Sequence, residues 1–290
     1  MKVIQTLNLS KTFDNNIIAL SEFNLEVEKG EIFGLLGPNG SGKTTTVRLL
    51  NGTLTPSSGM TSILGLQSNN QEVRLKTSTL SESAMMYEHM TVYNNLLFFA
   101  AMYNLRESEV KPKIKDLLTR INLWEKRDLK LGSLSTGMKK RIYLVRCLLH
   151  SPEIVFLDEP TSGLDPESAL QVNQLIYELA KNDGLTVFLC THNLPLAEMI
   201  CDTFGFIRLG KMIAVGNKED IVHSIAEENK LQIDTLQNTH HFNFKERDEI
   251  NGFIRKILEQ GENICEVKVI RPTLEEAYFH YIGKTENELV

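Results

Sequence analysis

Long hydrophobic segments are missing from this sequence of 290 residues. Its longest uncharged apolar stretch lies near residues 96–102, far short of the roughly 20 residues that a membrane-spanning helix needs. The first five residues also lack the continuous apolar segment of a signal peptide. We therefore expect a cytoplasmic protein that acts at a membrane only through a partner.

Low counts of basic residues and of cysteines argue against two further classes of protein. With 31 basic against 37 acidic side chains, the formal charge is -6, so no nucleic-acid partner is expected, because binding to the phosphate backbone needs a basic face. The four cysteines form no Cys-x-x-Cys pair, which argues against a disulfide framework or a zinc site. Each lies in or beside an apolar stretch, which predicts reduced core residues at Cys147, Cys190, Cys201 and Cys265.

The composition is otherwise that of a globular protein, with 42% hydrophobic and 23% charged residues. The charge is divided unevenly, because residues 221–290 contain 13 acidic and 8 basic groups, and thus most of the net charge. We predict one domain over residues 1–220 and a small C-terminal α+β region over residues 221–290.

Strand and helix patterns alternate along the first domain, which predicts an α/β fold with a parallel sheet. Three short segments made mostly of apolar residues, Ile32 to Leu36, Ile154 to Leu157 and Leu185 to Cys190, are typical of strands buried on both faces. Between the first two, apolar residues recur at intervals of three and four. This spacing predicts a helical subdomain at about residues 82–150.

The first of these strands leads into a glycine-rich loop with the phosphate-binding pattern Gly-x4-Gly-Lys-Thr. Backbone N–H groups of such a loop surround phosphates, and the following helix turns its positive N-terminal end toward them. Lys43 can reach the β- and γ-phosphates, and the Thr44 hydroxyl can bind Mg²⁺. The predicted nucleotide-binding residues here are Gly37, Pro38, Asn39, Gly40, Ser41, Gly42, Lys43, Thr44 and Thr45.

Two carboxylates, Asp158 and Glu159, follow the second buried strand. The carboxyl ends of parallel strands are where α/β sheets form ligand sites. We predict that Asp158 holds Mg²⁺ and that Glu159 polarises the attacking water in phosphate hydrolysis. The alternative is that both acids form a solvated cap at the end of the strand.

Three more segments complete an ordered set of motifs: Leu134-Ser135-Thr136-Gly137-Met138, Ser162-Gly163-Leu164-Asp165 and Thr191-His192. The whole set resembles the ATP-binding cassette (ABC) ATPases over about residues 3–216. The segment 191–194 and the C-terminal Pro272-Thr273-Leu274-Glu275-Glu276 look similar to the ATP-binding subunits of bacterial ABC-2-type exporters. The resemblance implies a RecA-like P-loop NTPase core with an antiparallel β region, an inserted helical subdomain and a small C-terminal extension.

The resemblance also implies roles for residues outside the loop. Phe13 matches the aromatic residue that stacks on adenine, with plain core packing as the alternative. Ser135 and Gly137 match the signature that closes over the γ-phosphate of ATP held by a second subunit. Asp165 matches the loop that communicates across the dimer, and His192 matches the histidine that contacts the γ-phosphate and the attacking water.

Three residues, in two motifs, depart from the family pattern. Glu82 stands where a glutamine usually touches Mg²⁺ and water. A carboxylate there can still bind Mg²⁺, but its charge should repel the γ-phosphate. Thr136 and Met138 replace the usual glycine and glutamine of the signature. Because Ser135 and Gly137 remain, we expect these changes to tune the site without abolishing its function.

The predicted function is that of an ATPase subunit of an ABC transporter that exports its substrate. Two copies, or this chain and a homologous subunit, are expected to enclose two ATP molecules and to drive separately encoded ABC-2-type permease subunits. The ATPase would then lie on the cytoplasmic face of the membrane. The apolar segment from Met85 to Phe99 is the candidate contact with the permease, and ordinary helical core is its alternative.

Two rival functions remain open at this stage. A soluble ABC ATPase acting on ribosomes or DNA is disfavoured by the single cassette and by the lack of a basic face. An ATP-gated regulatory module without turnover is disfavoured because the residues expected for hydrolysis are all present, namely Lys43, Asp158, Glu159 and His192.

Overall fold

The computed structural model describes residues 1–81, 85–225, 229–244, 246, 248–270 and 272–287. The chain divides into two compact units, Met1–Val215 and Gly216–Val290. The sequence places this division slightly later, after residue 220. Within the described ranges, none of the helices is long and apolar enough to cross a membrane.

The first unit contains strands and helices in the alternating order that the sequence predicts. Its elements, in chain order, are β1 (Lys2–Phe13), β2 (Ile17–Glu28), β3 (Ile32–Leu36), α1 (Lys43–Leu50), β4 (Ser58–Ile63), α2 (Gln71–Lys76), β5 (Thr77–Leu80), α3 (Val92–Met102), α4 (Glu107–Arg120), α5 (Thr136–Leu148), β6 (Ile154–Asp158), α6 (Pro166–Asp183), β7 (Thr186–Thr191), α7 (Leu194–Glu198), β8 (Thr203–Arg208) and β9 (Lys211–Gly216).

A six-stranded sheet with the order β5-β6-β7-β3-β8-β9 forms the centre of this unit. The strands from β5 to β8 in that order run parallel. Every residue of β3, β6 and β7 is buried, which explains why these strands are mostly apolar. The register pairs Asp158 with Cys190 and Leu36 with Thr191. The carboxyl ends of β3, β6 and β7 therefore meet at one end of the sheet, where each strand is followed by a predicted motif.

The antiparallel β region is the three-stranded sheet β2-β1-β4. Its buried side chains, among them Ile4, Leu20 and Phe23, share one core cluster with Phe33 and Phe188 of the central sheet. The antiparallel β region that the resemblance implies is thus present, and a common apolar core joins it to the central sheet.

The helical subdomain consists of α3, α4 and α5, and it connects the neighbouring strands β5 and β6. Side-chain caps determine where two of these helices begin. The Thr91 hydroxyl accepts a hydrogen bond from the Asn94 N–H at 3.1 Å before α3, and the Ser135 hydroxyl accepts one from the Met138 N–H at 3.3 Å before α5. Their apolar faces share a second core cluster with β6, β7 and α6.

The second unit has the predicted α+β character. Its elements are α8 (Lys218–His223), β10 (Asn229–Thr235), β11 (Thr239–Phe244), α9 (Glu249–Glu259), β12 (Ile264–Ile270) and α10 (Leu274–Asn287). The strands form an antiparallel sheet with the order β11-β10-β12. Ile257 of α9 shares a small core cluster with Leu231 and Ile233 of β10.

The prediction of four core cysteines is wrong for one of them. Cys147 and Cys190 are buried and Cys201 is half-buried, but Cys265 is exposed. Cys265 lies on β12, an edge strand of the small second sheet. Because an edge strand has a neighbour on one side only, an apolar run in the sequence does not ensure burial there.

Candidate nucleotide site

The phosphate-binding loop joins β3 to α1, and two of its glycines have no room for a side chain. A Cβ atom on Gly37 would lie 2.4 Å from the carbonyl oxygen of Ile207, and one on Gly42 would lie 2.6 Å from that of Ala19. Gly42 also has a φ of 111°, in the left-handed region that favours glycine. Packing against β2 and β8 therefore requires these glycines in addition to any need for access to phosphate.

Lys43, the first residue of α1, is buried, with 6% of its surface exposed. Its Nζ donates hydrogen bonds to the carbonyl oxygens of Gly37 and Pro38 at 2.7 and 3.2 Å. The same atom lies 3.5 Å from Oε1 of Glu159. Burial of a charged amine is tolerated only with such partners, so Lys43 is held over the loop and toward the strand-end acid.

A cavity of about 170 Å³ opens beside the loop. Its lining residues are Ala19, Asn39, Gly40, Gly42, Lys43, Thr44, Thr45, Asp158 and Glu159. Within the loop, the hydroxyl oxygen of Ser41 is buried and has no hydrogen-bond partner among the described residues. Because an unpaired buried polar atom destabilises a protein, the loop is suited to a ligand that brings hydrogen-bonding oxygens, as phosphate does.

Thr44 and Asp158 form the oxygen-rich part of the site. The Thr44 hydroxyl donates to Oδ2 of the buried Asp158 at 2.8 Å. Mg²⁺ prefers such oxygen ligands and commonly combines one or two carboxylates with substrate phosphates. The described residues contain no group of three or more His, Cys, Asp or Glu that could hold a metal ion, and a site of this kind does not require one. The other predicted ligand, Glu82, lies outside the described residues.

Glu159 is held at the end of β6 by three neighbouring groups. The Thr191 hydroxyl donates to Oε2 at 3.0 Å, Nδ1 of His192 lies 2.8 Å from Oε1, and the Glu159 N–H donates to the Cys190 carbonyl at 2.9 Å. Its φ of 50° is uncommon for a residue with a Cβ, and such conformations concentrate at functional sites. Only 7% of Glu159 is exposed, so a solvated cap does not describe it.

Among the described residues of one chain, none from the signature segment, Leu134 to Met138, lines this cavity. Ser135, Gly137, Asp165 and Phe13 are all absent from its lining. One copy of the chain therefore brings together the loop, the two strand-end acids and His192, which is 55% exposed beside Glu159. The remaining predicted residues lie elsewhere on its surface or between its helices.

Gly137 is required by the contact between α5 and α6. A Cβ atom there would lie 2.5 Å from Oγ and 2.7 Å from Cβ of Ser168. The backbone N–H of Ser168 donates to the Asp165 carboxylate at 2.9 Å, and this hydrogen bond lowers the pKa of Asp165. The signature and the Asp165 loop thus share a packing contact, which the motifs alone do not reveal.

Gly137→Ala is expected to lower the free energy of unfolding by about 1–3 kcal/mol, because the added methyl group forces α5 and α6 apart. Gly252→Ala is the matched control, since Gly252 also lies in a helix, α9, but its Cβ position has no heavy atom within 4 Å. Urea unfolding followed by circular dichroism measures both changes. Equal stability of Gly137→Ala and wild type would show that the two helices separate without cost.

Phe13 ends β1 and is 41% exposed, so its alternative interpretation as a core residue does not hold. The Nζ of Lys11 lies 5.3 Å from the centre of its ring, a distance at which a cation and a ring attract each other. The ring is therefore available at the surface of the antiparallel sheet.

Two buried residues of the site, Cys190 and Thr191, are missing from the sequence-based prediction of site residues. The Cys190 thiol donates to the Lys43 carbonyl oxygen at 3.8 Å, and its burial raises its pKa. Both residues end β7, opposite Asp158 and Leu36 in the register. Their position beside two other motif-bearing strand ends is the signal that would have found them.

Comparison with known proteins identifies the family. Residues 20–162 match the family model described as ABC transporter. The linearmycin resistance ATP-binding protein LnrL of Bacillus subtilis is 32% identical over 233 residues, covering 80% of this chain and 74% of that protein. The bacitracin transport ATP-binding protein BcrA of Bacillus licheniformis is 30% identical over 305 aligned positions, covering 97% of both.

A solved structure agrees with the sequence comparison. The ATP-binding cassette of an ABC transporter, in its ADP conformation, matches with a TM-score of 0.70 at 26% identity, covering 78% of this chain and 96% of that one. The predicted P-loop NTPase fold and the resemblance to ABC ATPases are confirmed. The chain belongs to the ABC transporter family, as an ATP-binding subunit that hydrolyses ATP.

Proposed function

We propose that this ATPase works in pairs to power an ABC-2-type exporter, and that five residues act on the phosphates of ATP: Lys43, Thr44, Asp158, Glu159 and His192. The observation that carries the proposal is their meeting beyond the ends of three adjacent strands. Thr44 contacts Asp158 at 2.8 Å, and Lys43 and His192 lie 3.5 and 2.8 Å from Glu159. Two relatives are named for linearmycin resistance and bacitracin transport, which supports export.

Glu159 is the proposed general base for hydrolysis. Its carboxylate takes a proton from the attacking water, while His192, whose Nδ1 is 2.8 Å from Oε1, orients that water against the γ-phosphate. Lys43 lies on the same side of the carboxylate and offsets the negative charge of the γ-phosphate. Lys43 and His192 already contact the Glu159 carboxylate, so little reorganisation of these groups is needed during the reaction.

Mg²⁺ is the proposed metal cofactor, and when bound it would neutralise charge on the ATP phosphates. Thr44 and Asp158 would hold it, because their oxygens already lie together at 2.8 Å. The N–H groups of the loop, from Gly40 to Thr45, would surround the phosphates beside it.

Each ATP site is proposed to be shared between two subunits. Ser135 is exposed at the start of α5, and the positive end of this helix favours an anion there. Because the cavity of one chain contains no signature residue among those described, a second copy or a homologous subunit would bring its own Ser135 and Gly137 to the γ-phosphate. Asp165 would lie near the same interface through its contact with Ser168.

Exposed apolar side chains on α3 and just before it are the proposed contact with the permease. Met85, Tyr87, Phe98 and Met102 are 79, 52, 41 and 66% exposed. The rings of Tyr87 and Phe98 pack edge to face at 5.1 Å, so part of this surface is fixed. Exposed apolar patches commonly mark interfaces. A permease bound there would place the ATPase on the cytoplasmic face of the membrane.

Co-expression of the chain with an ABC-2-type permease from the same genome tests the proposed function. We expect the two to co-purify and the permease to change the ATPase rate. Tyr87→Asp should weaken co-purification, whereas Tyr177→Asp, at an exposed tyrosine of α6, should not. Stimulation by ribosomes or DNA would instead favour the soluble ATPase, and ATP binding without turnover would favour the regulatory module.

Phe13→Ala is expected to raise KM for ATP about 2- to 12-fold with little change in kcat. Stacking on adenine stabilises bound ATP and the transition state alike, and such aromatic contacts contribute about 0.5–1.5 kcal/mol. Phe98→Ala is the control, because Phe98 is equally exposed at 41% but lies on α3. A large fall in kcat at saturating ATP would show that Phe13 supports the structure of the site instead.

A further inference from the structure

Thr191 has a hydroxyl group that is committed to two partners inside the site. It is the last residue of β7 and is 3% exposed. Its Oγ1 accepts a hydrogen bond from the Asn193 N–H at 3.1 Å and lies 3.0 Å from Oε2 of Glu159. A threonine hydroxyl has a single proton to donate, and the acceptor of that proton here is the Glu159 carboxylate.

The Glu159 carboxylate needs such a constraint. The last torsion of a glutamate side chain is broad and roughly two-fold, so the carboxylate group can turn unless both oxygens are held. His192 and Lys43 both face Oε1, at 2.8 and 3.5 Å. Thr191 is the side chain that holds the other oxygen, Oε2.

We propose that Thr191 is a positioning residue for ATP hydrolysis, because its hydroxyl fixes the Glu159 carboxylate with Oε1 toward His192 and Lys43. This inference rests on the proposed role of Glu159 as general base. Thr191 touches neither ATP nor water in this scheme, so its loss should slow the chemical step and leave ATP binding unchanged.

The same strand provides a control for mere loss of a buried threonine. Thr186, at the opposite end of β7, is 1% exposed, and its hydroxyl oxygen accepts a hydrogen bond from the Gly30 N–H at 2.9 Å. Thr186→Val and Thr191→Val therefore remove the same group from the same buried strand. Only Thr191→Val removes a contact to Glu159.

The experiment measures steady-state ATPase activity and binding of a non-hydrolysable ATP analogue in the full chain. Thr191→Val should lower kcat on the order of 10- to 100-fold, the effect of losing a hydrogen bond to a charged group. Thr191→Ser, which keeps the hydroxyl, should stay within about 3-fold of wild type, and analogue affinity should be unchanged in both. Thr186→Val should retain the wild-type kcat even if its melting temperature falls.

A double-mutant cycle separates positioning from a general loss of structure. When Glu159→Gln is already present, Thr191→Val should produce no further loss of the residual ATPase rate, because the side chain that Thr191 positions can no longer take a proton from water. If Thr191→Val lowers the ATPase rate of Glu159→Gln by the same factor as it lowers the wild-type rate, that result would overturn the inference. So would a Thr191→Val enzyme with wild-type kcat, or a Thr191→Ser enzyme as slow as Thr191→Val.

Two results keep the inference distinct from the function on which it rests. If Glu159→Gln is inactive and Thr191→Val is active, the positioning role of Thr191 is wrong and the role of Glu159 as general base still stands. If Glu159→Gln retains full activity, the proposed base itself is wrong. Should Thr191→Val fold poorly, the ratio of kcat between Thr191→Ser and Thr191→Ala takes its place, and a ratio near one overturns the inference.

Discussion

Glu159→Gln is expected to bind ATP and to hydrolyse it roughly 100-fold or more slowly than wild type. The amide cannot take a proton from water, and a positioned general base contributes about 10²- to 10⁴-fold to a rate. The substitution preserves the size of the side chain, so Thr191 can still donate to the amide oxygen that replaces Oε2. Steady-state ATPase assays beside an ATP-binding titration separate loss of chemistry from loss of binding.

The same variant should trap the paired state of the ATPase. If hydrolysis reopens the pair, then blocking hydrolysis leaves ATP bound between two subunits, and gel filtration with ATP should show a species of twice the mass. Glu153→Gln is the matched control, since Glu153 precedes the other end of β6 and pairs at the surface with Lys76. Wild-type turnover in Glu159→Gln would remove Glu159 from its proposed role.

The parts of the site that could be predicted from the sequence are those whose positions follow from strand order. A buried parallel strand places the residue after it at the carboxyl end of the sheet. The loop after β3, Asp158 at the end of β6 and His192 after β7 could therefore be predicted to lie together. The structure adds that β7 lies between β3 and β6, so the last residues of β7 pair with both of these strands.

Contacts made by side chains across strands could not be predicted in this way. The hydrogen bond from Thr191 is accepted by a glutamate with a left-handed φ of 50°, and no local sequence pattern requires that conformation of a glutamate. The requirement for glycine at position 137 likewise comes from Ser168, which is distant in the sequence but lies 2.5 Å from the missing Cβ. Both contacts depend on how two elements approach each other.

Exposure is also poorly fixed by the sequence pattern. Cys265 is predicted in the core but is exposed, whereas several side chains of the Met85 to Phe99 segment, the predicted permease contact, do lie at the surface. Periodicity places a residue on the apolar side of an element, but it does not show how much of that side is covered. In the Met85 to Phe99 segment, the apolar side that stays uncovered is the surface proposed for the permease.

Mixing two inactive variants, Lys43→Ala and Ser135→Ala, is expected to restore ATPase activity. In a homodimer with shared sites, either substitution damages both sites. In the mixed dimer, one site combines the two lesions, whereas the other combines an intact Lys43 with an intact Ser135 from across the interface. The intact site regains both contacts to the γ-phosphate, which are charge-assisted and therefore among the stronger hydrogen bonds.

Ser135→Ala also removes the side-chain cap of α5, a loss worth about 1 kcal/mol of stability. Thr91→Ala removes the corresponding cap of α3 in the same subdomain and serves as the control. It should lower stability by a similar amount and leave ATPase activity near the wild-type value. Loss of activity in Ser135→Ala alone then reflects the signature and not the capping of a helix.

Recovered activity should rise with the fraction of mixed dimers and reach at most about half the wild-type rate per dimer, because one of two sites is intact. Self-contained subunits would recover nothing, since every subunit in the mixture carries a lesion. Mixed dimers that form, as shown by differently tagged subunits, but stay inactive would contradict independent shared sites. In that case, ATP-dependent pairing of the mixture, absent from each variant alone, would show that ATP still bridges the intact loop and signature and that hydrolysis requires both sites together.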